Sequence, residues 1–286
     1  MKGTLYVVAT PIGNLEDMTF RAVRVLAEAN LIAAEDTRQT RKLLTRYEIK
    51  TPTVSCHKFN EAERVSFFIE ALASGKNVAL VSDAGTPCVA DPGGRLVAKA
   101  ADAGFEVIPV CGASAVAAAL SVSGFEISSY AFLGFLPRTE KLLVEKLSEA
   151  NDREAIIFYE SPKRITKTLC AIIKNFPESN ICLCNDLTKK FEKIYRGDPE
   201  KILAELEANP DAEKGEYTCV AKMKIRKAEE AEARLFSLEA QLVNIMFEKS
   251  VTLREASRLL HDTKKKSPTK KEIYAASLRL KELFNA

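Results

Sequence analysis

Polar residues and a glycine follow a short apolar segment near residue 80, where a strand would end. The apolar run Val78–Val81 indicates a buried strand, and Ser82 and Asp83 come directly after it, before a turn at 84–87. Glycine lets a backbone approach a ligand closely, and the Asp83 carboxylate accepts from an amine or a ribose hydroxyl. Because open α/β sheets bind ligands just past the carboxyl ends of their strands, this turn is a candidate ligand site. An ordinary strand-to-helix turn is the alternative.

Two further apolar segments end in polar residues that could do chemistry. The predicted strand at 5–9 is followed by Pro11, which fixes φ, and by Gly13, which frees it, so the loop is bent but defined. A second predicted strand is followed by Glu35, Asp36, Thr37 and Arg38. The carboxylates could orient a hydroxyl and Arg38 could pair with a phosphate, whereas an ion pair from Asp36 to Arg38 or Arg41 would only hold the loop. In a parallel sheet, the three strand ends would share one edge.

Composition narrows the function classes. The chain has 286 residues, 28% charged and 47% hydrophobic, which predicts a globular protein of two or more domains. No apolar run approaches 18 residues and the N-terminus enters a strand at once, so we expect no membrane span, no signal peptide and a cytoplasmic location. Seven cysteines without a Cys-x-x-Cys pair, and only two histidines, predict reduced thiols and no metal site.

Charge is distributed unevenly. Residues 251–286 contain nine Lys or Arg and four Asp or Glu, a net charge of +5, although the whole chain carries only +3. A near-neutral body with a basic C-terminal segment suits a polyanionic partner contacted mainly at one end. A solvated helical face is the alternative.

The element pattern predicts three parts. Residues 1–112 alternate strands and helices, which favours a largely parallel sheet; strands are expected near 4–9, 31–36, 53–56, 77–82 and 106–110, and helices near 17–28, 60–74 and 92–103. A small-residue helix over 115–120 opens residues 113–229, the second α/β part. There we expect strands at 130–135, 155–160, 181–185 and 217–224, and helices at 139–149, 163–175 and 198–208.

Residues 230–286 are predicted to be helical. Leu235, Leu238, Leu242 and Ile245 recur at helical spacing. Thr252 and Glu255 match a capping box, and Ser267 or Thr269 would cap a last helix. This arrangement is similar to a small helix-turn-helix unit.

Several motifs together carry a family resemblance. These are AEDTR at 34–38, SDAGTP at 82–87, GASA at 112–115, FYESPKR at 158–164 and LTKK at 187–190. Over residues 3–225 the chain resembles the ribosomal RNA methyltransferase branch of the tetrapyrrole (class III) methylase superfamily. The resemblance implies two α/β domains with S-adenosylmethionine in the cleft between them, a homodimer, and methyl transfer to a cytidine ribose 2′-hydroxyl in the decoding region of 16S rRNA. The C-terminal helices would bind flanking RNA.

The resemblance also implies roles at matching positions. Cofactor contacts are expected from Pro11, Gly13, Ser82, Asp83, Ala84, Gly85, Thr86, Ser114, Ala115 and Tyr159. Candidates for a base or a polarising cation are Glu35, Asp36 and Lys189. Substrate contacts are expected from Thr37, Arg38, His57, Asn60, Glu61, Arg64, Glu160, Lys163 and Arg164. Ser114 is equally suited to a plain helix cap.

Two departures and three alternatives stay open. The chain has Asn185-Asp186 where the family has Arg-Glu, and Cys111 where it often has proline. A related enzyme acting on a tetrapyrrole or another small substrate would keep the cofactor loops without needing AEDTR or a basic end. A non-catalytic ribosome-binding protein would not need intact cofactor loops. A nucleotide hydrolase is disfavoured because no strand is followed by a Gly-Lys-Ser/Thr phosphate loop.

Overall fold

The computed structural model describes residues 2–150, 153–223, 237–263 and 269–284. The chain divides into two compact units, Met1–Lys224 and Ile225–Ala286. Each unit is described by itself. The predicted three-part division, with a boundary at residue 112, stays a prediction.

The first unit begins with a five-stranded sheet. It comprises β1 (Thr4–Val8), β2 (Leu31–Ala34), β3 (Thr53–Ser55), β4 (Val78–Val81) and β5 (Glu106–Val110). Every pairing is parallel and the order is β3-β2-β4-β1-β5, which confirms the parallel sheet expected from the apolar runs. Strands β2, β4 and β1 are neighbours at the centre. The three polar strand ends singled out in the sequence therefore lie side by side.

A helix follows each of these five strands. They are α1 (Phe20–Glu28), α2 (Thr37–Arg46), α3 (Glu61–Ala73), α4 (Gly94–Asp102) and α5 (Ala115–Ser123). Helix α2 was not predicted, because TRQTRKLLTR carries few apolar residues; it buries only Thr40 and Leu44, four positions apart. Of the two predicted starts of α1, Asp17 and Thr19, the structure has Thr19 as the cap, after a 3-10 turn at Leu15–Asp17.

A second five-stranded sheet lies in the same unit. It comprises β6 (Tyr130–Phe135), β7 (Ala155–Glu160), β8 (Asn180–Asn185), β9 (Lys193–Gly197) and β10 (Tyr217–Lys222), in the order β6-β7-β10-β8-β9. The β6–β7 pair is parallel and the other pairs are antiparallel. The short edge strand β9, KIYRG, was not predicted. Its charged residues and flanking glycine hide the β pattern in the sequence.

The second sheet is buried on both faces. Ile156 and Phe158 of β7 pack with helices α6 (Glu140–Glu149), α7 (Pro162–Asn175) and α8 (Pro199–Glu207). The alternate residue Ile157 packs with α5 on the opposite face. Side chains of successive strand residues point to opposite faces, so this strand is apolar throughout. Helix α5 thereby connects the two sheets.

The second unit contains α9 (Leu238–Lys249), α10 (Leu253–Thr263) and α11 (Lys270–Phe284). Its core combines residues of all three helices, namely Leu242, Ala256, Leu260, Ile273, Ala276 and Leu280. Two capping boxes begin α10 and α11: Glu255 accepts from the Thr252 main chain at 2.9 Å, and Glu272 from the Thr269 main chain at 2.7 Å. The first box was predicted, and Thr269 is the cap of the last helix. Leu235 and Ser267 lie outside the described residues.

All seven cysteines are free thiols, and four of them are buried. Within the part of the chain that the structure describes, none of the helices is long and apolar enough to cross a membrane.

Two leucines of α6 give a test of the second core. Leu147 is fully buried, whereas the side chain of Leu142 is 52% exposed. Leu147→Ala should lower the free energy of unfolding by about 2–5 kcal/mol, because it removes buried methyl groups and leaves a cavity. Leu142→Ala on the same helix should change it by less than about 0.5 kcal/mol. Denaturant titration measures both, and equal losses would contradict this packing.

Candidate active site

Main-chain hydrogen bonds join the loops that follow the central strands. The Thr10 N–H donates to the Gly85 carbonyl at 2.9 Å, and the Gly85 N–H donates back to the Thr10 carbonyl at 3.0 Å. The Thr10 hydroxyl also donates to the Ser82 carbonyl at 3.2 Å. On the other side, the Thr86 hydroxyl donates to the Ala113 carbonyl at 3.2 Å. The loops after β1, β4 and β5 therefore form one continuous surface.

Two glycines permit close approaches within this surface. Gly85 has φ +77°, a left-handed conformation that favours glycine, and Ile12 would lie 3.3 Å from an added Cβ. A Cβ on Gly13 would lie 2.4 Å from Cγ of Lys189 and 3.0 Å from the Leu187 carbonyl. Gly13 therefore lets the loop after β1 pack against the segment that follows β8.

A cavity of about 250 Å³ lies between these loops and the second sheet. Six of the ten predicted cofactor residues line it: Ala84, Gly85, Thr86, Ser114, Ala115 and Tyr159. The other four, Pro11, Gly13, Ser82 and Asp83, lie in the supporting loops rather than in the lining. Small side chains on one wall and Tyr159 on the other leave space for a ligand.

Part of the lining was not predicted from the sequence. Asp91 lies in the cavity wall together with Val89 and Ala90, and residues 216–218 contribute from the start of β10. The Asp-Pro-Gly turn at 91–93 is a signal that could have identified Asp91. No local pattern marks 216–218, since only the antiparallel pairing of β10 with β7 brings them there.

The N-terminus of α5 adds polarity at this cavity. Ser114 caps the helix by accepting from the Ala117 N–H at 3.5 Å, and Ser114 and Ala115 both line the cavity. The free N–H groups and the dipole of a helix N-terminus favour negative charge. Cap and ligand contact are compatible here.

An aromatic cluster forms the opposite wall. The ring of Tyr159 lies edge-on to Phe132 at 5.0 Å and to Phe135 at 5.7 Å between centroids. Burial raises the pKa of Tyr159, and the nearby Asp91 charge raises it further. The phenol therefore stays protonated and can donate a hydrogen bond.

Carboxylates from the loops after β2 and β4 meet at the edge of the first sheet. The Asp36 N–H donates to Oδ1 of Asp83 at 3.0 Å, and the Asp83 N–H donates to Oε2 of Glu35 at 3.4 Å. Burial raises the pKa of Glu35, and the hydrogen bond from the Asp83 N–H opposes this rise. The negative charges of Asp91, Asp83 and Asp36 raise the pKa further. Burial likewise raises the pKa of Asp83 and of Asp91.

Asp36 behaves in the opposite way. Arg38 donates to both of its oxygens, with Nη2 at 2.7 Å from Oδ2, and its main-chain N–H donates at 2.8 Å. These bonds lower the pKa of Asp36 to about 2. The carboxylate is therefore a weak base that caps α2, so the loop-holding ion pair considered from the sequence is present.

One buried hydroxyl in this region has no partner of normal geometry. Ser82 Oγ makes no hydrogen bond of normal geometry with any residue that the structure describes. It lies near enough to Asp91 to lower the pKa of that carboxyl against the larger effect of burial. On α2, the buried Thr40 Oγ1 likewise has no hydrogen-bond partner among the described residues. Buried polar groups are normally paired, so Ser82 is a position where a ligand atom would be stabilised.

Lys189 belongs to an ion network of the second sheet. Its Nζ lies 2.9 Å from Oδ1 of Asp186 and 3.0 Å from Oε2 of Glu216. Burial alone would lower the pKa of Lys189, but the two carboxylates outweigh it and the net pKa is raised. The ammonium is thus a stable cation and not a base. Asp186, one of the family departures, is its partner, and Asn185 is buried and donates to main-chain carbonyls.

Two predicted substrate residues have internal roles. Glu61 is buried and accepts from the Gly93 N–H at 3.2 Å and from the Arg95 N–H at 2.9 Å, so it satisfies the start of α4. Glu160 is fully buried and accepts from Thr168 at 2.8 Å and from Arg164 at 3.2 Å.

Arg164 is correspondingly engaged. It donates to the Leu136 carbonyl at 3.0 Å and to the Pro137 carbonyl at 2.8 Å, in addition to its pair with Glu160. These contacts give Glu61, Glu160 and Arg164 internal roles, and Glu160 also lies in the cavity lining. Their contacts with a substrate stay predictions.

The remaining substrate candidates lie apart from the cavity lining. His57 and Asn60 form a turn after β3, in which the His57 N–H donates to Oδ1 of Asn60 at 2.8 Å. Arg64 and Lys163 are exposed, at α3 and α7. Thr37 and Arg38 begin α2, beside the acidic edge. Their contacts with a substrate stay predictions. Within the described ranges, no three His, Cys, Asp or Glu side chains are placed to hold a metal ion.

Comparisons with known proteins agree with this architecture. The family model of Tetrapyrrole (Corrin/Porphyrin) Methylases matches residues 4–203. A ribosomal RNA small subunit methyltransferase I from Halalkalibacterium halodurans is 48% identical over 71% of this chain and 70% of its own. A protein of the same name from Synechocystis sp. is 41% identical over 97% of this chain and 98% of its own.

A solved structure shows the same fold. Uroporphyrin-III C-methyl transferase from Thermus thermophilus, complexed with S-adenyl homocysteine, superposes with a TM-score of 0.55 at 17% identity and covers 76% of this chain and 97% of that one. The two sheets, the shared loop surface and these matches lead to one conclusion. The chain belongs to the tetrapyrrole methylase family and, within it, to the ribosomal RNA small subunit methyltransferase I group.

Proposed function

We propose that this chain is an S-adenosylmethionine-dependent methyltransferase that modifies the RNA of the small ribosomal subunit. The observation that carries the proposal is the cavity where the loops after β1, β4 and β5 face Tyr159 and β10. The names of the curated relatives supply the substrate class. The acceptor within that class is a cytidine ribose 2′-hydroxyl in the decoding region.

The residues of the cavity fit this cofactor. Ala84, Gly85 and Ala115 are small enough to accommodate its bulk, and the α5 N-terminus suits its carboxylate. Asp91 and Asp83 carry negative charge toward its ammonium, its sulfonium or its ribose hydroxyls. The unpartnered Ser82 hydroxyl is a further polar group in the loop that supports the cavity. When bound, the cofactor supplies an electrophilic methyl group on a sulfonium.

The chain itself must activate and align the acceptor hydroxyl. Glu35 is the best base among the three candidates, because its raised pKa gives a carboxylate that holds a proton more readily than Asp36, whose pKa is about 2. Lys189, held cationic by Asp186 and Glu216, would stabilise a developing alkoxide or a phosphate. Alignment of two reactants by such fixed groups can supply several kcal/mol of the barrier.

The remaining assignments follow the same hypothesis. The acceptor RNA is single-stranded at the modified nucleotide, because recognition of RNA favours unstacked bases. Arg38, Arg64, Lys163 and the helices of the second unit would contact phosphates around it. A cytoplasmic homodimer, with domains at 1–112, 113–229 and 230–286, completes the proposal.

The function is tested by methyl transfer from labelled S-adenosylmethionine to small ribosomal subunits that lack the modification. We expect one 2′-O-methyl cytidine in the decoding region, located by mapping of the labelled nucleotide. Free tetrapyrroles serve as the competing acceptor. Transfer to a tetrapyrrole and none to subunits, with cofactor binding intact, would refute the RNA assignment and retain the methyltransferase fold.

Asp91→Asn tests the cavity as the cofactor site. Because the folded protein raises the pKa of Asp91 above its ordinary value of 3.8, the ionised carboxylate destabilises the fold, and the variant should unfold at a higher temperature at pH 7. The difference in stability between Asp91→Asn and the unchanged protein grows as pH rises through the raised pKa of Asp91. It vanishes below the ordinary pKa of an aspartate. Cofactor affinity should fall about tenfold, for one lost charge-assisted contact.

Calorimetric titration and thermal unfolding measure the two effects of Asp91→Asn. Asp102→Asn on the exposed end of α4 is the matched control and should change neither. Unchanged cofactor affinity in Asp91→Asn would remove Asp91 from the cofactor site.

Glu35→Gln tests which of two neighbouring carboxylates, Glu35 or Asp36, acts as the base. The amide keeps an acceptor for the Asp83 N–H but cannot take a proton, so the rate of methyl transfer should fall about 10²–10⁴-fold with cofactor binding retained. In the unchanged protein the rate should decline as pH falls through the raised Glu35 pKa, and this decline should disappear in the variant. Asp36→Asn should keep the acidic decline. The opposite pattern would make Asp36 the base.

A further inference from the structure

The second unit contains a groove whose lining residues have no part in the candidate active site. It lies between α10 and α11 and encloses about 610 Å³. Its lining is Leu253, Arg254, Ser257, Arg258, His261, Lys270, Ile273, Tyr274, Ser277 and Lys281. Five of these ten residues are basic, and none of the described residues in the lining is acidic. We name this feature the basic groove.

Helical spacing aligns these side chains in two rows. Arg254, Arg258 and His261 are separated by four and three positions on α10. Lys270, Tyr274, Ser277 and Lys281 are separated by four, three and four positions on α11. Residues at such intervals share one face of a helix. At 1.5 Å per residue, the second row extends over roughly 16 Å, the length of several nucleotides along one strand.

The acidic side chains described in this unit are occupied elsewhere. Glu239 accepts from Arg279 at 2.6 Å and Glu248 from Asn244 at 3.0 Å. Glu255 and Glu272 are held by the Thr252 and Thr269 caps. In the described part of the unit, Arg254, Arg258, Lys270 and Lys281 form no ion pair and are all exposed. Glu255 lies near enough to Arg258 for their charges to attract. Arg254, Lys270 and Lys281 have no acidic partner among the described side chains.

An aromatic ring lies among these cations. The side chain of Tyr274 is 65% exposed, although it lines the groove. Exposing a tyrosine this far gives little stability to the unit. A ring beside cationic side chains is the arrangement that binds single-stranded nucleic acid, where bases stack on aromatics and phosphates pair with Lys or Arg.

We infer that the basic groove binds a single-stranded segment of the substrate RNA, with phosphates at Arg254, Arg258, Lys270 and Lys281 and a base stacked on Tyr274. This inference rests on the proposed function for the identity of the RNA. It deepens that function by giving the enzyme an RNA site of its own, made entirely by the second unit. An acidic peptide would use the charges but would leave the tyrosine without a stacking partner.

Binding of the full-length protein to a fluorescent 20-nucleotide single-stranded RNA of mixed sequence tests the inference, without methyl donor and over a series of salt concentrations. Lys270→Ala/Lys281→Ala should weaken binding and reduce the slope of log K against log salt by about 1.4, or 0.7 for each phosphate contact. The matched control is Lys249→Ala/Lys271→Ala. It removes two exposed lysines of the same unit that do not line the groove, and should change the slope by less than half as much.

Substitutions of Tyr274 test the stacking contact separately from the charged contacts. Tyr274→Ala should weaken single-strand binding roughly tenfold and leave the salt slope unchanged, whereas Tyr274→Phe should keep affinity within about twofold. Far-ultraviolet circular dichroism of each variant checks that the helices remain. A 20-base-pair duplex and polyglutamate serve as competitors and should bind more weakly.

The outcomes separate this inference from the proposed function. Equal losses in the groove and control variants, or tighter binding of the duplex or of polyglutamate, would overturn the groove as a single-strand site. Failure of methyl transfer to subunits with groove-dependent RNA binding intact would overturn the function alone. Methyl transfer with wild-type RNA binding in every groove variant would retain the function and overturn the groove.

Discussion

The candidate active site depends on the reciprocal pair of main-chain hydrogen bonds between Thr10 and Gly85. This pair fixes the loop after β1 to the loop after β4, and the Thr10 hydroxyl strengthens the connection through the Ser82 carbonyl. The positive φ of Gly85 is what lets its N–H and C=O face Thr10 without a side chain contacting Ile12. Because parallel strands end at one edge, a single pair of bonds is enough to turn two strand ends into one wall.

Environment, more than residue type, distinguishes the carboxylates at this edge. Asp36 and Glu35 are adjacent in sequence, yet Arg38 lowers the pKa of the first and burial raises that of the second. Asp83 and Asp91 follow Glu35, because partial desolvation in the loop after β4 raises the pKa of both. The concentration of negative charge costs stability in the free protein and favours a cationic ligand. Pairs of groups whose pKa values diverge in this way are typical of functional sites.

The parts that sequence predicts well are those in which local chemistry decides. Apolar runs identified the central strands of the parallel sheet, and Thr252 with Glu255 identified a helix start that the structure confirms. Helix α2 and strand β9 escaped because tertiary packing overrides their polar composition. The internal hydrogen bonds of Glu61 and Glu160 could not be predicted, because a charged residue at the end of a strand or helix looks alike in sequence whether it faces solvent or a buried donor. Residues 216–218 reach the cavity only through the long-range pairing of β10 with β7.

The residues proposed for catalysis come from both sheets, so the relative position of the two sheets determines the geometry of the site. Glu35 and Asp83 belong to the first sheet, and Lys189 belongs to a segment that follows β8 of the second. That segment holds Asp186 and Thr188 at φ +52° and +66°, which is unfavourable for a β-branched residue and costs on the order of 1–3 kcal/mol. The Asn14 N–H donates to the Thr188 hydroxyl at 3.0 Å, and Gly13 admits Lys189 at close range. The strained segment is therefore held by both sheets, and the same contacts that stabilise it set the distance between the acidic edge and the lysine.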